Sequence, residues 1–207
     1  MTASRKRILL VGAQGVIGQH VHAALKDRYE VIRAGLDGPD LTLDLSKAAE
    51  IAGKLQQLGP LDAIISTAGR ARFVPMASVE PAAIESSAYG LGLQDKLLGQ
   101  VNLALAARSV LKPGGSVTLT SGTTSHDPIL GGSSLSMVNG ALDHWVRAAA
   151  TEMRAFRINA VSPSLVEGTP PAALAAFPGF EIISGQRVAL AYLRCLESGI
   201  SGQVIRI

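Results

Sequence analysis

Apolar positions fall into short unbroken runs separated by longer stretches of mixed, helix-length character. Strand-like runs occur at Arg7 to Val11, Glu30 to Ala34, Leu61 to Thr67, Ser116 to Ser121 and Arg157 to Ser162. Ile8-Leu9-Leu10-Val11 and Ala63-Ile64-Ile65 contain no polar residue, the pattern of strands covered on both faces. Strands alternating with helix-length segments predict an α/β fold with a parallel sheet, and right-handed crossovers put helices on both of its faces. Local punctuation agrees. Ser46 is expected to cap a helix that runs to Leu58 and ends at Gly59-Pro60, and Lys112-Pro113-Gly114-Gly115 to close a long helix through Gly99 and Ala107.

Length and composition narrow the class. The 207 residues fit a single domain, 1–207, because no repeat, low-complexity stretch or linker divides the chain, and Pro163 to Pro178 reads as an active-site loop. Apolar residues make up 47% and charged residues 17%, which argues against disorder. No apolar run approaches the roughly 20 residues of a bilayer-spanning helix, so no membrane role is expected. A net charge of +3 from scattered basic residues lacks the basic stripe with interleaved aromatics that nucleic acid needs. Arg5-Lys6-Arg7 followed by Ile8 to Val11 does not read as a signal peptide, since Gly12 interrupts the apolar stretch. The single cysteine, Cys195, excludes an internal disulfide and suits a reducing compartment. The expected location is cytoplasmic. His20, His22 and His144 lie in helical stretches without ligand spacing, and no metal is expected.

The chemistry begins after the first strand, at Gly12-Ala13-Gln14-Gly15-Val16-Ile17-Gly18, with a helical stretch from Gln19 to Lys26. Glycines here allow a sharp turn, close approach of backbone N–H groups to a diphosphate, and tight helix–strand packing. Strand, glycine turn and helix in that order predict a dinucleotide site. The choice of dinucleotide stays open. Arg33 near the end of the second strand would pair a 2′-phosphate and favours NADP. With no acid at positions 31 to 36, Asp37 is close enough to keep NAD in play.

Gly12 to Gly18, Asp44-Leu45, Ala68-Gly69 and Asn159-Ala160-Val161-Ser162-Pro163 together resemble the short-chain dehydrogenase/reductase family over nearly the whole chain. The resemblance implies a three-layer Rossmann fold, a doubly wound parallel sheet of about seven strands whose last begins near Gly202-Gln203-Val204. It implies that Asp44 and Leu45 sit at the adenine and that Thr67, Ala68 and Gly69 border the cofactor. Ser164 to Pro170 resembles the loop that touches the nicotinamide, which adds Pro163, Val166 and Thr169 to the cofactor contacts.

The chain departs from that family where its chemistry is done. A tyrosine and a lysine four residues later on one helix carry proton transfer in the family. Leu135 and Asn139 occupy those positions here, leaving Asn139 as a candidate ribose contact. Ser121 takes the place of the family's serine, either binding a substrate oxygen or capping a turn. Lys96, before Leu97-Leu98-Gly99, stands at the family's asparagine position, where it serves as proton donor, anion holder or plain solvated lysine. His126 is the nearest histidine that replaces the tyrosine.

Two functions remain. One is an atypical NAD(P)-dependent oxidoreductase acting on a small carbonyl or alcohol; the other is a dinucleotide-binding sensor or partner subunit without turnover. A relic that binds nothing is disfavoured by the intact glycine turn. Val138, Leu142 and Trp145 share a helix face that fills a core or an interface. Small residues at Gly140, Ala141, Ala148 and Ala149 suit close helix approach in a homodimer or homotetramer.

Overall fold

Successive side chains of β1 (Arg7–Val11) explain why its apolar run is continuous. Ile8 and Leu10 enter one core while Leu9 and Val11 enter another, all essentially fully buried, because a strand's side chains leave alternately on opposite faces. In the computed structural model, which describes residues 5–207, the chain continues through α1 (Val16–Leu25), β2 (Glu30–Gly35), β3 (Leu41–Thr42), α2 (Ala48–Leu58) and β4 (Leu61–Ser66). A π-helical segment (Gly92–Leu98) leads into α3 (Gly99–Ala106), β5 (Leu111–Thr120), α4 (Ser133–Glu152) and β6 (Arg157–Ser162). Then follow β7 (Leu165–Val166), α5 (Pro171–Leu174), β8 (Ile182–Ile183), α6 (Gly185–Glu197) and β9 (Val204–Arg206).

Seven strands pair in the order β3-β2-β1-β4-β5-β6-β9, all parallel, with β7 and β8 forming a separate pair. This is the expected doubly wound Rossmann sheet. On one face α1 and α6 bring Val21, Leu25, Val188 and Tyr192 onto Ile8, Leu10 and Ile65. On the other, α2, α3 and α4 bring Ile51, Leu55, Leu103, Leu142 and Val146 onto Leu9, Val11 and Ile64. Trp145 packs partly buried on this second core, in line with its shared face with Leu142. Each such large side chain contributes roughly 1.5–3 kcal/mol on burial. Among the described residues no helix is long and apolar enough to cross a membrane.

Two local expectations are corrected. Ser46 does not cap α2: its amide and hydroxyl donate to Asp44 Oδ1 at 3.0 and 2.7 Å, and Lys47 takes the cap position with no side-chain bond. An aspartate two residues upstream captures the serine first. Lys112 to Gly115 does not end a helix either. The helix stops at Ala106 and tightens into a 3₁₀ turn to Ser109, and Leu111 already pairs with Leu61. The residues before the Ser116–Ala63 pair bulge out of β5, with Gly114 at φ +77°, a use of proline and glycine open to strands as well as helix ends.

Strand order reverses between β1 and β4, and the loops beyond their carboxyl ends part to leave a crevice. The packing there tolerates no side chain at Gly18, where a Cβ would lie 2.1 Å from the Gly12 carbonyl oxygen. Gly18→Ala is expected to destabilise the protein by about 1–3 kcal/mol in urea unfolding. Gly53→Ala, exposed in α2 with nothing near its Cβ, is expected to add about 0.5–1 kcal/mol.

Candidate functional site

The crevice is built by backbone meeting backbone. Gly12, at φ +80°, turns the chain so tightly that a Cβ on it would lie 2.7 Å from the Ala68 nitrogen. Its own N–H donates to Ala34 O at 2.8 Å and its carbonyl accepts from Gly15 N. Thr67 ties β4 to the same turn, its hydroxyl donating to the carbonyls of Val11 and Gly12, each at 3.0 Å. Gln19 is the first amide of α1 to reach a helical partner, Gly15 O at 2.9 Å. The amides of Val16, Ile17 and Gly18 are therefore the open donors of the helix terminus, where the helix dipole adds partial positive charge.

A cleft of about 320 Å³ opens beside this turn. Gly12, Gln14, Gly15, Asp44, Leu45, Thr67, Ala68 and Gly69 line it together, while Val16, Ile17 and Gly18 are not among its lining residues. Gly35, Leu36, Asp37 and Leu43 complete the side nearest β2 and β3. Ser46 holds the Asp44 carboxyl below its ordinary range by donating to it, with help from the nearby Arg70 and Lys47 charges. A Cβ on Gly15 would meet just the Gly12 carbonyl oxygen, at 3.4 Å, so this part of the turn has room beside it. An extended ligand with a phosphate at the helix terminus fits this cradle.

Arg33 is a correction. It does not line the cleft: Nε and Nη2 donate to the two carboxylate oxygens of Asp40 at 3.0 and 3.1 Å, and its backbone N–H to Oδ2 at 2.9 Å. It faces instead a surface groove shared with His22 and Lys26. The cation in the cleft is Arg70, with Asp95 beside it. Sequence reading missed both, because 25 positions separate the partners and neither belongs to a recognisable motif.

Behind Gly69 lies Lys96. A Cβ on that glycine would lie 2.7 Å from Lys96 Cγ, so the lysine stem packs on the cleft wall. The ammonium donates to the Ser121 carbonyl at 3.1 Å. Burial pulls its pKa down to about 8, against the opposing pull of the Asp95 and Asp143 carboxylates. Lys96 sits in the π-helical segment, a geometry frequent at functional sites. Gln100 fixes that segment to the sheet. Its carboxamide accepts from Thr120 N–H and donates to the carbonyls of Thr120 and Lys96, all at 2.9 Å. Gln100 was not singled out in the sequence, where a glutamine inside an apolar helix gives no sign of its partner. Ser121 directly follows β5 with its hydroxyl buried, and Ser66 and Ser162, the last residues of the neighbouring strands, bury theirs as well. None of the three hydroxyls finds a partner among the described residues.

The remaining candidates lie elsewhere. Asn139 is 2% exposed and donates to Thr124 Oγ1 at 2.8 Å, so its amide braces the Ser121 to Thr124 turn rather than facing the cleft. Leu135 is half-buried near the start of α4. His126 is exposed beside Ser125, outside the cleft: its turn carries it outward, a direction that chain proximity to Ser121 does not reveal. Pro163, Val166 and Thr169 belong to a loop over the start of α1. A Cβ on Gly168 would lie 3.5 Å from Val16 Cγ1, Thr169 N donates to Val166 O, and Pro163 O receives Thr123 N. Beyond the loop, Phe177 meets Phe73 and Phe180 edge to face at 6.1 and 5.3 Å, a small apolar covering.

Comparison with known proteins identifies the scaffold. The profile of the family described as Enoyl-(Acyl carrier protein) reductase matches residues 10–195. The short-chain dehydrogenase/reductase ATR9 of Stachybotrys chlorohalonatus is 31% identical over 131 residues, 59% of this chain and 50% of that protein, so the match spans about half the relative's length. The crystal structure of lin1944 from Listeria innocua superposes with a TM-score of 0.91 at 36% identity, covering 98% of this chain and 99% of that one. A small-chain dehydrogenase solved in complex with NADPH shares the fold, with a TM-score of 0.82 at 23% identity and coverage of 99% and 97%. A profile match across nearly the entire Rossmann sheet, on a cleft built by its glycine turn, means that this chain belongs to the short-chain dehydrogenase/reductase family of oxidoreductases.

Proposed function

We propose that the chain binds a nicotinamide dinucleotide in the glycine-lined cleft and reduces a small carbonyl compound, or oxidises the matching alcohol, with Lys96 in place of the family's tyrosine. The observation that carries this reading is Lys96 itself, its stem packed behind Gly69 of the cleft and its ammonium held on the Ser121 carbonyl. The bound cofactor supplies or accepts the hydride. The chain's part is to hold the diphosphate on the amides of Val16 to Gly18 and to hold a proton on Lys96 Nζ for the substrate oxygen. With a pKa of about 8, that nitrogen is mostly protonated at neutral pH yet gives up its proton more readily than an ordinary lysine. NADP(H) is the first cofactor to test, since a dehydrogenase of this fold was solved with NADPH. NAD(H) is the alternative, because Asp37 lines the β2 side of the cleft while Arg33 does not.

Leu135 and the engaged Asn139 favour a second reading, a dinucleotide-binding subunit without turnover. Calorimetric titration with NADPH and NADH, followed by an aldehyde and ketone panel, separates the two. Binding with turnover supports the oxidoreductase; binding with no turnover on any panel member favours the subunit. Lys96→Met is expected to lower carbonyl reduction by about 10²–10⁴-fold with cofactor affinity retained, while His126→Ala leaves turnover unchanged. Reduction needs the protonated lysine, so wild-type kcat/KM for reduction should fall as pH rises through about 8 and the oxidative direction should rise there.

We also propose a homodimer or homotetramer joined through α3 and α4, where Leu98, Leu105 and Met137 are 46%, 38% and 41% exposed. Sedimentation velocity should show the oligomer, and Leu105→Lys should shift it towards monomer.

A further inference from the structure

Charge in the cleft is unbalanced. Three carboxylates, Asp37, Asp44 and Asp95, line it against one guanidinium, Arg70. A ligand bearing phosphates is favoured by a cation at such a wall, and the residue the sequence suggests for that role, Arg33, is spent on Asp40 outside the cleft.

Arg70 is already set for the task. Asp95, 5% exposed, accepts from the Arg70 backbone N–H at 2.6 Å, from Nε at 3.0 Å and from Nη2 at 2.7 Å. The Arg70 side chain remains 52% exposed. A guanidinium carries a fork of N–H donors, and these contacts leave Nη1 and one Nη2 hydrogen free of protein acceptors among the described residues. The aspartate fixes the plane of the fork, so little side-chain entropy is lost when an oxyanion docks on it.

We infer that Arg70, positioned by Asp95, pairs with a phosphate group of the dinucleotide; this rests on the cofactor reading above. The phosphate belongs either to the diphosphate or to the ribose 2′ position, and one set of titrations tells them apart. NADPH and NADH are titrated calorimetrically into wild type, Arg70→Gln, and the double variant Arg70→Gln with Asp95→Asn, at low and at physiological salt. The double variant removes the buried carboxylate that the single one leaves unpaired, and thermal melts check that both fold.

Arg70→Gln and the double variant are expected to bind NADPH about ten- to hundredfold more weakly, with a shallower salt dependence. A similar loss for NADH identifies the diphosphate as the partner, and a loss confined to NADPH identifies the 2′-phosphate. Wild-type affinity for both dinucleotides in folded variants overturns the inference and leaves the cofactor reading intact. Failure of wild type to bind either dinucleotide overturns both.

Discussion

Everything in this molecule hangs on the contact between the backbone of the glycine turn, the first turn of α1 and the end of β4. Side chains at Gly12 or Gly18 would overlap main-chain atoms of Gly12, Ala13, Thr67 and Ala68, which follow directly on two central strands of a sheet covered on both faces and have little room to retreat. That closeness lets Thr67 bridge β4 to β1 through its hydroxyl. It also places the start of α1, after Gly15, beside the crevice where strand order reverses. Fold and ligand site are thus two consequences of one steric condition.

Around this fixed point the site divides into two halves with different logic. On the side of β2 and β3 the walls are short loops carrying carboxylates, with Arg70 anchored among them. On the side of β5 and β6 the strand ends carry buried serine hydroxyls, and Lys96 reaches the Ser121 carbonyl from a widened helical turn. Helix α4, which carries Leu135 and Asn139, is held against the sheet by Val138, Leu142 and Val146, all of which enter the core. Asn139 on that helix donates to Thr124 Oγ1 and so braces the turn after β5. The turn supplies a partner for the Asn139 amide nitrogen, while its Oδ1 is buried without a hydrogen-bond donor among the described residues.

Gln100 shows how a single buried side chain couples these halves to the scaffold. By taking both the N–H and the carbonyl of Thr120, it satisfies the end of β5 beyond its pairing with β4, which stops at Thr118, and it also holds the Lys96 carbonyl. Tyr192 reaches Thr120 from the opposite face, its hydroxyl 2.6 Å from Thr120 Oγ1, which in turn donates to the Ser66 carbonyl. Burial pushes the Tyr192 phenol well above its ordinary pKa, so it stays neutral and serves as a brace. The carboxyl end of β5 is therefore gripped from both layers, which suits a position that must hold Lys96 steady.

The sequence by itself determined five of the seven strands of the central sheet, its parallel character, the two-faced burial and the glycine turn, because each follows from local pattern: unbroken apolar runs, helical spacing and residues that allow a tight turn; β3 and β9, with two and three residues, are too short to leave such a pattern. It also brought Gly12, Gln14, Gly15, Asp44, Leu45 and Thr67 to Gly69 to one place, since sheet topology fixes where loops beyond parallel strands converge. Only the tertiary structure decided which charged and polar side chains face the cleft. Arg33 is turned away by Asp40, His126 is carried outward by its turn, Asn139 is buried on Thr124, and Arg70 is brought in by an aspartate 25 positions along the chain. Long polar side chains choose among partners that the fold places near them, and those partners are distant in sequence. Their direction is a property of the folded surroundings and leaves no periodic trace in the chain.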